Sequence, residues 1–253
     1  MTGPLAAVVD YGAGNLVSIE QALVAAGARV TRVTRGTAID GADLLVVPGV
    51  GAAAPAMDRL RAAGFVTPIR AWIEADRPFL GICLGLQLLF DGSDEDGAVT
   101  LGILPGRTVR LERAPTLPHI GWNQVARRRP HAAFEGIGQE ADFYFVHSYV
   151  GAPADPASPD ILADTTHGTA FVSAVARGRL LGVQFHPERS GADGLRLVAN
   201  VVGLAAAGSR PAATNRPAAG TRPSASTRPA STHATSTHAT STHATSTRPS
   251  SAA

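Results

Sequence analysis

One cysteine, Cys83, occurs among 253 residues, so no internal disulfide can form. Stability must come from packing, and a reducing compartment is expected. No leader is expected either. Met1 runs almost directly into the apolar Leu5–Val9 stretch, with no basic segment, no long apolar core and no cleavage site before it. The longest apolar run, Leu195–Ala207, is interrupted by Arg196 and Asn200 and is too short to span a bilayer. These absences point to a soluble cytoplasmic protein. Acidic residues are missing beyond Asp193, whereas Arg210, Arg216, Arg222, Arg228 and Arg248 lie after it. Residues 1–207 carry 17 basic and 20 acidic groups, so the overall charge of +2 is a property of the C-terminal segment. Nothing in the charge balance marks the rest as a nucleic-acid binder.

From Gly208 onward the composition collapses to Ser, Thr, Ala, Pro, Arg and His. Ser-Thr-His-Ala-Thr occurs three times in succession over 231–245, and Arg-Pro recurs at 210, 216, 222, 228 and 248. Such a segment cannot bury enough apolar surface to offset an ordering cost of roughly 1–2 kcal/mol per residue. The sequence therefore divides into a domain over 1–207 and a disordered low-complexity tail over 208–253. The tail histidines, five apart, share no helical face and have no cysteine or carboxylate among them, so they read as a repeat and not as a metal site.

Residues 1–207 have the pattern of an α/β domain. Ala6–Val9 is a buried-strand run. Leu16, Ile19, Leu23 and Ala26 then follow at helical spacing, with Gly27 as the stop. Val30–Val33 and Leu44–Val47 predict further strands, two helical stretches end near Gly64 and Ala75, Pro78–Ile82 predicts a strand and Leu84–Phe90 a helix. Alternation of this kind implies crossover units and a central, mostly parallel sheet flanked by helices. After Gly97 come shorter β-like runs at Val109–Leu111, Asp142–Val150, Ala170–Val175 and Leu180–Phe185. A last helix contains Leu195, Val198, Val201 and Val202, with Ser190 as its expected N-cap.

Chemistry concentrates around Cys83. Gly81-Ile82-Cys83-Leu84-Gly85 lies where a strand meets a helix, the setting of a nucleophile elbow. The sharp turn needs small residues on both sides, and the helix start offers partial positive charge and free N–H groups to a thiolate or an oxyanion. His186-Pro187-Glu188 follows the Leu180–Phe185 run. Two residues apart at a strand end, the imidazole can face the thiol while the carboxylate holds its other nitrogen. A lone Cys is more often a small core residue and a lone His-Pro-Glu a surface turn; together they make a nucleophile, a base and an orienting group. Pro48-Gly49-Val50-Gly51 follows a strand and reads either as an ordinary strand-ending turn or as a second oxyanion donor beside the Leu84 amide.

Gly-Ile-Cys-Leu-Gly-Leu-Gln (81–87) and His-Pro-Glu (186–188) resemble the two signatures of the class I (triad) glutamine amidotransferases. Four stretches narrow this further: Asp10-Tyr11-Gly12-Ala13-Gly14-Asn15-Leu16, Pro48-Gly49-Val50-Gly51, Pro118-His119-Ile120-Gly121-Trp122-Asn123 and Phe145-Val146-His147-Ser148-Tyr149. They resemble the glutaminase subunits of imidazole glycerol phosphate synthase, over residues 5 to about 204. The resemblance implies a flavodoxin-like amidotransferase fold and a heterodimer with a (β/α)8-barrel cyclase subunit that receives ammonia for histidine biosynthesis. It implies Cys83, His186 and Glu188 as the triad and the Val50 and Leu84 amides as the oxyanion hole. Gly49, Gly51, Gln87, Ser148 and Tyr149 would position glutamine, and Asn15, Trp122, Tyr144 and Arg189 would face the partner. No metal or organic cofactor is implied.

Two departures stand out. Arg189 replaces the usual Lys after His-Pro-Glu, so contacts with the partner should differ there. Ala53 replaces a bulky residue, which alters local packing. Elsewhere, Asp91–Asp96 reads as a solvated loop, Arg127-Arg128-Arg129 as an exposed turn, and the spacing of His119, His147 and His167 matches no metal motif. Two rival readings remain at this point: the amidotransferase component of another synthase, such as anthranilate synthase, and a non-catalytic regulatory subunit of the same fold.

Overall fold

Alternate residues of the first strand face opposite layers. Ala6 and Val8 join one buried cluster, and Ala7 and Val9 join another. This two-sided burial explains why the run is apolar throughout. The computed structural model describes residues 3–14 and 16–209. The proposed tail from residue 210 on, and Asn15, lie outside the described residues.

The first half runs β1 (Leu5–Val9), α1 (Leu16–Ala25), β2 (Arg29–Val33), β3 (Leu44–Gly49), α2 (Ala53–Ala62), α3 (Val66–Glu74), β4 (Phe79–Cys83) and a short α4 (Leu84–Gln87). The second half runs β5 (Gly92–Ser93), β6 (Gly106–Arg110), β7 (His119–Arg127), β8 (Glu140–His147), β9 (Tyr149–Pro153), β10 (Ile161–His167), β11 (Thr169–Arg177), β12 (Leu180–Val183) and α5 (Gly191–Ser209). Leu16, Ile19 and Leu23 of α1 and Leu197, Val198 and Val201 of α5 pack on one face of the sheet. Met57 and Leu60 of α2, with Ile69 and Trp72 of α3, cover the other. Gly27, at φ +88°, ends the first helical segment as its position suggested. No helix among the described residues is long and apolar enough to cross a membrane.

A nine-stranded sheet has the order β2-β1-β3-β4-β12-β11-β10-β7-β8, and a small sheet has the order β5-β6-β9. The α/β class holds, but the large sheet is mixed. Pairings from β2 through β12 are parallel, and those from β12 through β8 are antiparallel. Of the second-half strands, β7, β8, β10, β11 and β12 extend the central sheet, and β5, β6 and β9 form the small one. The run read as Asp142–Val150 is two strands, β8 in the large sheet and β9 in the small one. Phe143 and Phe185 pack at a tilt with centroids 4.1 Å apart and are flanked by Phe134 and Phe145. Each such buried ring contributes roughly 2–3 kcal/mol and anchors β8 to the base of the site.

Three other expectations change. The helix after Cys83 stops at Gln87 and continues only as tight turns, so it has little macrodipole; its first N–H groups remain available. Ser190 stands at the N-cap position of α5, its carbonyl accepting from the Gly194 N–H, but its side chain is used elsewhere: Oγ accepts from the Tyr144 N–H and donates to the His186 carbonyl. Arg127, Arg128 and Arg129 are not an idle turn. Arg127 donates to the Phe134 and Ile137 carbonyls, Arg128 pairs with Asp164, and Arg129 donates to the Ala176 carbonyl.

Candidate active site

The C-terminal ends of β1, β3, β4 and β12 converge, where open α/β sheets place their ligands. Parallel register sets Pro48 opposite Ile82 and Gly49 opposite Cys83. The Val50 loop is thereby brought beside the start of α4. Cys83 itself has φ 53° and ψ −107°, a strained conformation for a residue with a side chain. The flanking glycines are steric necessities. A Cβ on Gly81 would lie 2.7 Å from the Gly85 carbonyl oxygen, and one on Gly85 would lie 1.9 Å from that of Val47. The elbow expected from the sequence is present.

His186 Nδ1 and Glu188 Oε1 are 2.8 Å apart, with both side chains buried. The pairing arises differently from the expected strand geometry. β12 ends at Val183, and Pro187–Arg189 form a 3-10 turn that folds Glu188 back onto the imidazole. The other ring nitrogen, Nε2, is buried and has no hydrogen-bond partner. Burial alone would lower the His186 pKa. The pull of Cys83 across the gap and of Glu188 at Nδ1 overrides it and raises the pKa well above the histidine range. An imidazolium beside a thiol favours the thiolate. The Cys83 thiol lies 3.9 Å from the Val146 carbonyl and accepts from Gln184 Nε2 at 3.6 Å. A cavity of about 270 Å³ reaches His186 and Glu188 past Gly14, Gly49, Val50 and Arg189.

The structure gathers the expected glutamine-positioning residues as well. Gly49 is buried, and Gly51 has φ +90° in the same loop. Gln87 Nε2 donates to the Tyr149 carbonyl at 2.8 Å and to Gln184 Oε1 at 3.1 Å, which leaves Oε1 as the group it can offer a ligand. Ser148 and Tyr149 lie two and three residues past Val146, at the switch from β8 to β9, and both are half-buried. Trp122 and Tyr144 are register partners with rings 6.3 Å apart, and the Arg189 guanidinium lies 4.7 Å over the Tyr144 ring. Exposed Trp122 thus joins Tyr144 and Arg189 in one patch beside the triad turn.

Sequence reasoning missed three groups. Gln184 interrupts the apolar run Leu180–Phe185, and a buried amide in such a run must find partners. The Tyr11 hydroxyl is buried without a partner, and a Cβ on Gly49 would come within 2.3 Å of it. Burial, reinforced by Cys83, pushes its pKa above the usual tyrosine value. The third group comprises His119, His147 and His167, which bond in place instead of offering ligands to a metal. Asn123 Nδ2 donates to His119 Nε2, so His119 Nδ1 carries the proton shared with His147 Nε2 at 3.1 Å. His147 Nδ1 then donates to the Tyr149 carbonyl, while the His167 ring stacks 4.0 Å from that of His119. Burial lowers His147 to about 3 and His119 to about 4, so both rings are neutral.

Comparison with known proteins gives this geometry its setting. Residues 7–202 match the family model for "Glutamine amidotransferase class-I". A relative from Synechococcus sp. (strain JA-2-3B'a(2-13)), named imidazole glycerol phosphate synthase subunit HisH, is 48% identical over 204 residues, covering 79% of this chain and 93% of its own. The HisH subunit of Aromatoleum aromaticum is 43% identical over 210 residues, covering 79% of this chain and 98% of its own. A crystal structure of a glutamine amidotransferase superposes with a TM-score of 0.62 at 21% identity, covering 79% of this chain and 98% of that one, a likeness of fold alone. The chain belongs to the class-I glutamine amidotransferase family, in the group of the imidazole glycerol phosphate synthase subunits HisH.

Proposed function

We infer that the chain is the glutaminase subunit of imidazole glycerol phosphate synthase and supplies ammonia for histidine biosynthesis. The observation that carries this reading is the strained Cys83 elbow facing a buried His186–Glu188 pair, in a chain 43–48% identical to HisH subunits. Cys83 Sγ attacks the side-chain carboxamide carbon of glutamine, and the thiol proton resides on His186 Nε2. The Val50 and Leu84 amides bind the oxyanion of the tetrahedral intermediate. Collapse breaks the C–N bond, His186 protonates the departing nitrogen, and ammonia leaves behind a thioester. His186 then takes a proton from water, whose oxygen attacks the thioester carbon, and glutamate departs as Cys83 is regenerated. Glu188 holds the imidazole orientation throughout. Gly49, Gly51, Gln87, Ser148 and Tyr149 position the substrate. This chemistry calls on no metal or organic cofactor.

The partner in this reading is a (β/α)8-barrel cyclase that consumes the ammonia, docked on the Trp122–Tyr144–Arg189 patch, and the pair works in the cytoplasm. The intact triad counts against a non-catalytic regulatory subunit. Identity to HisH subunits over nearly their full length counts against the anthranilate synthase type. The decisive assay measures ammonia from glutamine with a cyclase subunit and its ribonucleotide ligand present. Wild type releases ammonia, and Cys83→Ala lowers the rate by about 10⁴-fold or more. Equal rates from the two would sink the enzymatic reading. The amidotransferase domain is proposed to occupy residues 1–207, with the tail dispensable. A chain cut after Ser209, where α5 ends, is expected to fold and turn over as the full chain does.

A further inference from the structure

Gln184 leaves β12 into the heart of the site, fully buried, with its backbone N–H donated to the Ser173 carbonyl at 2.9 Å. Its side chain joins two groups of different purpose. Oε1 accepts from Gln87 Nε2 at 3.1 Å, and Nε2 donates to Cys83 Sγ at 3.6 Å. Which end of each amide points where is dictated by the surroundings. The Tyr149 carbonyl can only accept, so Gln87 must turn its nitrogen toward it. That same nitrogen supplies the hydrogen for Gln184, so Gln184 presents oxygen to Gln87 and nitrogen to sulfur. Tyr149 is itself held by the His147 ring at 3.1 Å, which removes the remaining slack.

We propose that Gln184 is a positioning residue that sets the reactivity of Cys83 and the orientation of Gln87 together. An amide N–H directed at sulfur stabilises the thiolate over the thiol and restrains the Sγ position. The opposite end of the same amide keeps Gln87 from flipping, so that Gln87 offers an acceptor oxygen, which suits an ammonium or a carboxamide N–H of the substrate. The part concerning Gln87 rests on the glutaminase reading; the part concerning Cys83 does not. A tilt of the Gln184 amide is therefore felt by nucleophile and substrate contact alike.

The test uses the full chain without a partner and the pH dependence of Cys83 alkylation by iodoacetamide. Cys83 is the sole cysteine, so all label reports on it. Gln184→Met keeps length and volume but removes both hydrogen bonds. The midpoint of the alkylation profile is expected to rise by about one pH unit. In the complex, KM for glutamine should rise about fivefold while kcat falls about tenfold, corresponding to one lost hydrogen bond at each end. Gln184→Glu retains an acceptor for Gln87 and puts an acceptor at sulfur, so it should raise the midpoint while leaving KM near the parent value. Should Gln184→Met not fold, Gln184→Glu carries the thiol test alone. A folded variant whose alkylation midpoint stays at the wild-type value overturns the proposal. The two readings fail separately, because alkylation needs neither glutamine nor a cyclase.

Discussion

In the parallel half of the large sheet, from β2 to β12, the site depends on backbone conformation; in the antiparallel half, from β11 to β8, it depends on contacts between side chains. The parallel half contributes the Cys83 elbow and the Gly49–Gly51 loop, whose demands are conformational: a positive φ, and two chains too close for a Cβ. The antiparallel half contributes the Asn123–His119–His147 chain, the Phe143 and Phe145 rings that pack on Phe185 beyond β12, and the Trp122–Tyr144 pair. Its demands are for hydrogen bonds and ring contacts. Backbone demands leave glycines at fixed spacings, whereas side-chain networks leave only residue types with many possible partners.

The comparison can be broken most sharply at Gly85. A Cβ there meets the Val47 carbonyl oxygen at 1.9 Å, and neither backbone can yield. Gly85→Ala is expected to cost about 4 kcal/mol, read by urea unfolding. A loss below about 1 kcal/mol would mean that the elbow is softer than its geometry. Next comes Gly49→Ala, expected to cost about 2–3 kcal/mol because its Cβ would strike the Tyr11 hydroxyl at 2.3 Å and Leu84 Cβ at 3.0 Å. Tyr11→Phe in the same chain should recover about half of that, and alone should be nearly neutral, since the hydroxyl is buried and unpartnered. No recovery in the double variant would place the strain elsewhere.

The antiparallel half is probed by acid. His147 has a folded pKa of about 3 against an ordinary 6.5, with burial as the main cause. Below pH 6.5 the unfolded chain binds a proton that the folded chain refuses. Stability is therefore full above that pH and falls as the solution is acidified toward 3. Between pH 6.5 and 5 this ring accounts for a loss of about 2 kcal/mol, at 1.36 kcal/mol per unit. His147→Gln should flatten the slope of stability against pH by that amount, whatever its effect at neutral pH. An unchanged slope would show that the ring takes up its proton without unfolding.

Legibility in the sequence followed the same division. β1, β3 and β4 are expected within a residue or two because strands buried on both faces are unbroken apolar runs. Cys83, His186 and Glu188 are recognisable because elbow and turn both constrain short, local sequence. β7 escaped notice because most of its residues are exposed or half-buried and include His, Asn and Gln. β8 and β9 merged because the chain changes sheets at Ser148 with neither Gly nor Pro to mark it. The His119–His147 contact and the reach of Gln184 to sulfur join residues 28 and 101 positions apart, and only the assembled sheet brings them together.

Three hydrogen bonds close a ring around the base. The His186 N–H donates to the Tyr144 carbonyl, the Tyr144 N–H to Ser190 Oγ, and Ser190 Oγ to the His186 carbonyl. The ring uses main-chain atoms and one hydroxyl, and no atom of the Tyr144 ring. Mutational drift can therefore rewrite the outward face of β8 to follow a changing partner while the imidazole beneath keeps its station. Arg189, whose guanidinium lies over the Tyr144 ring, stands on that permissive side, and Ser190 on the side where change would unseat the catalyst.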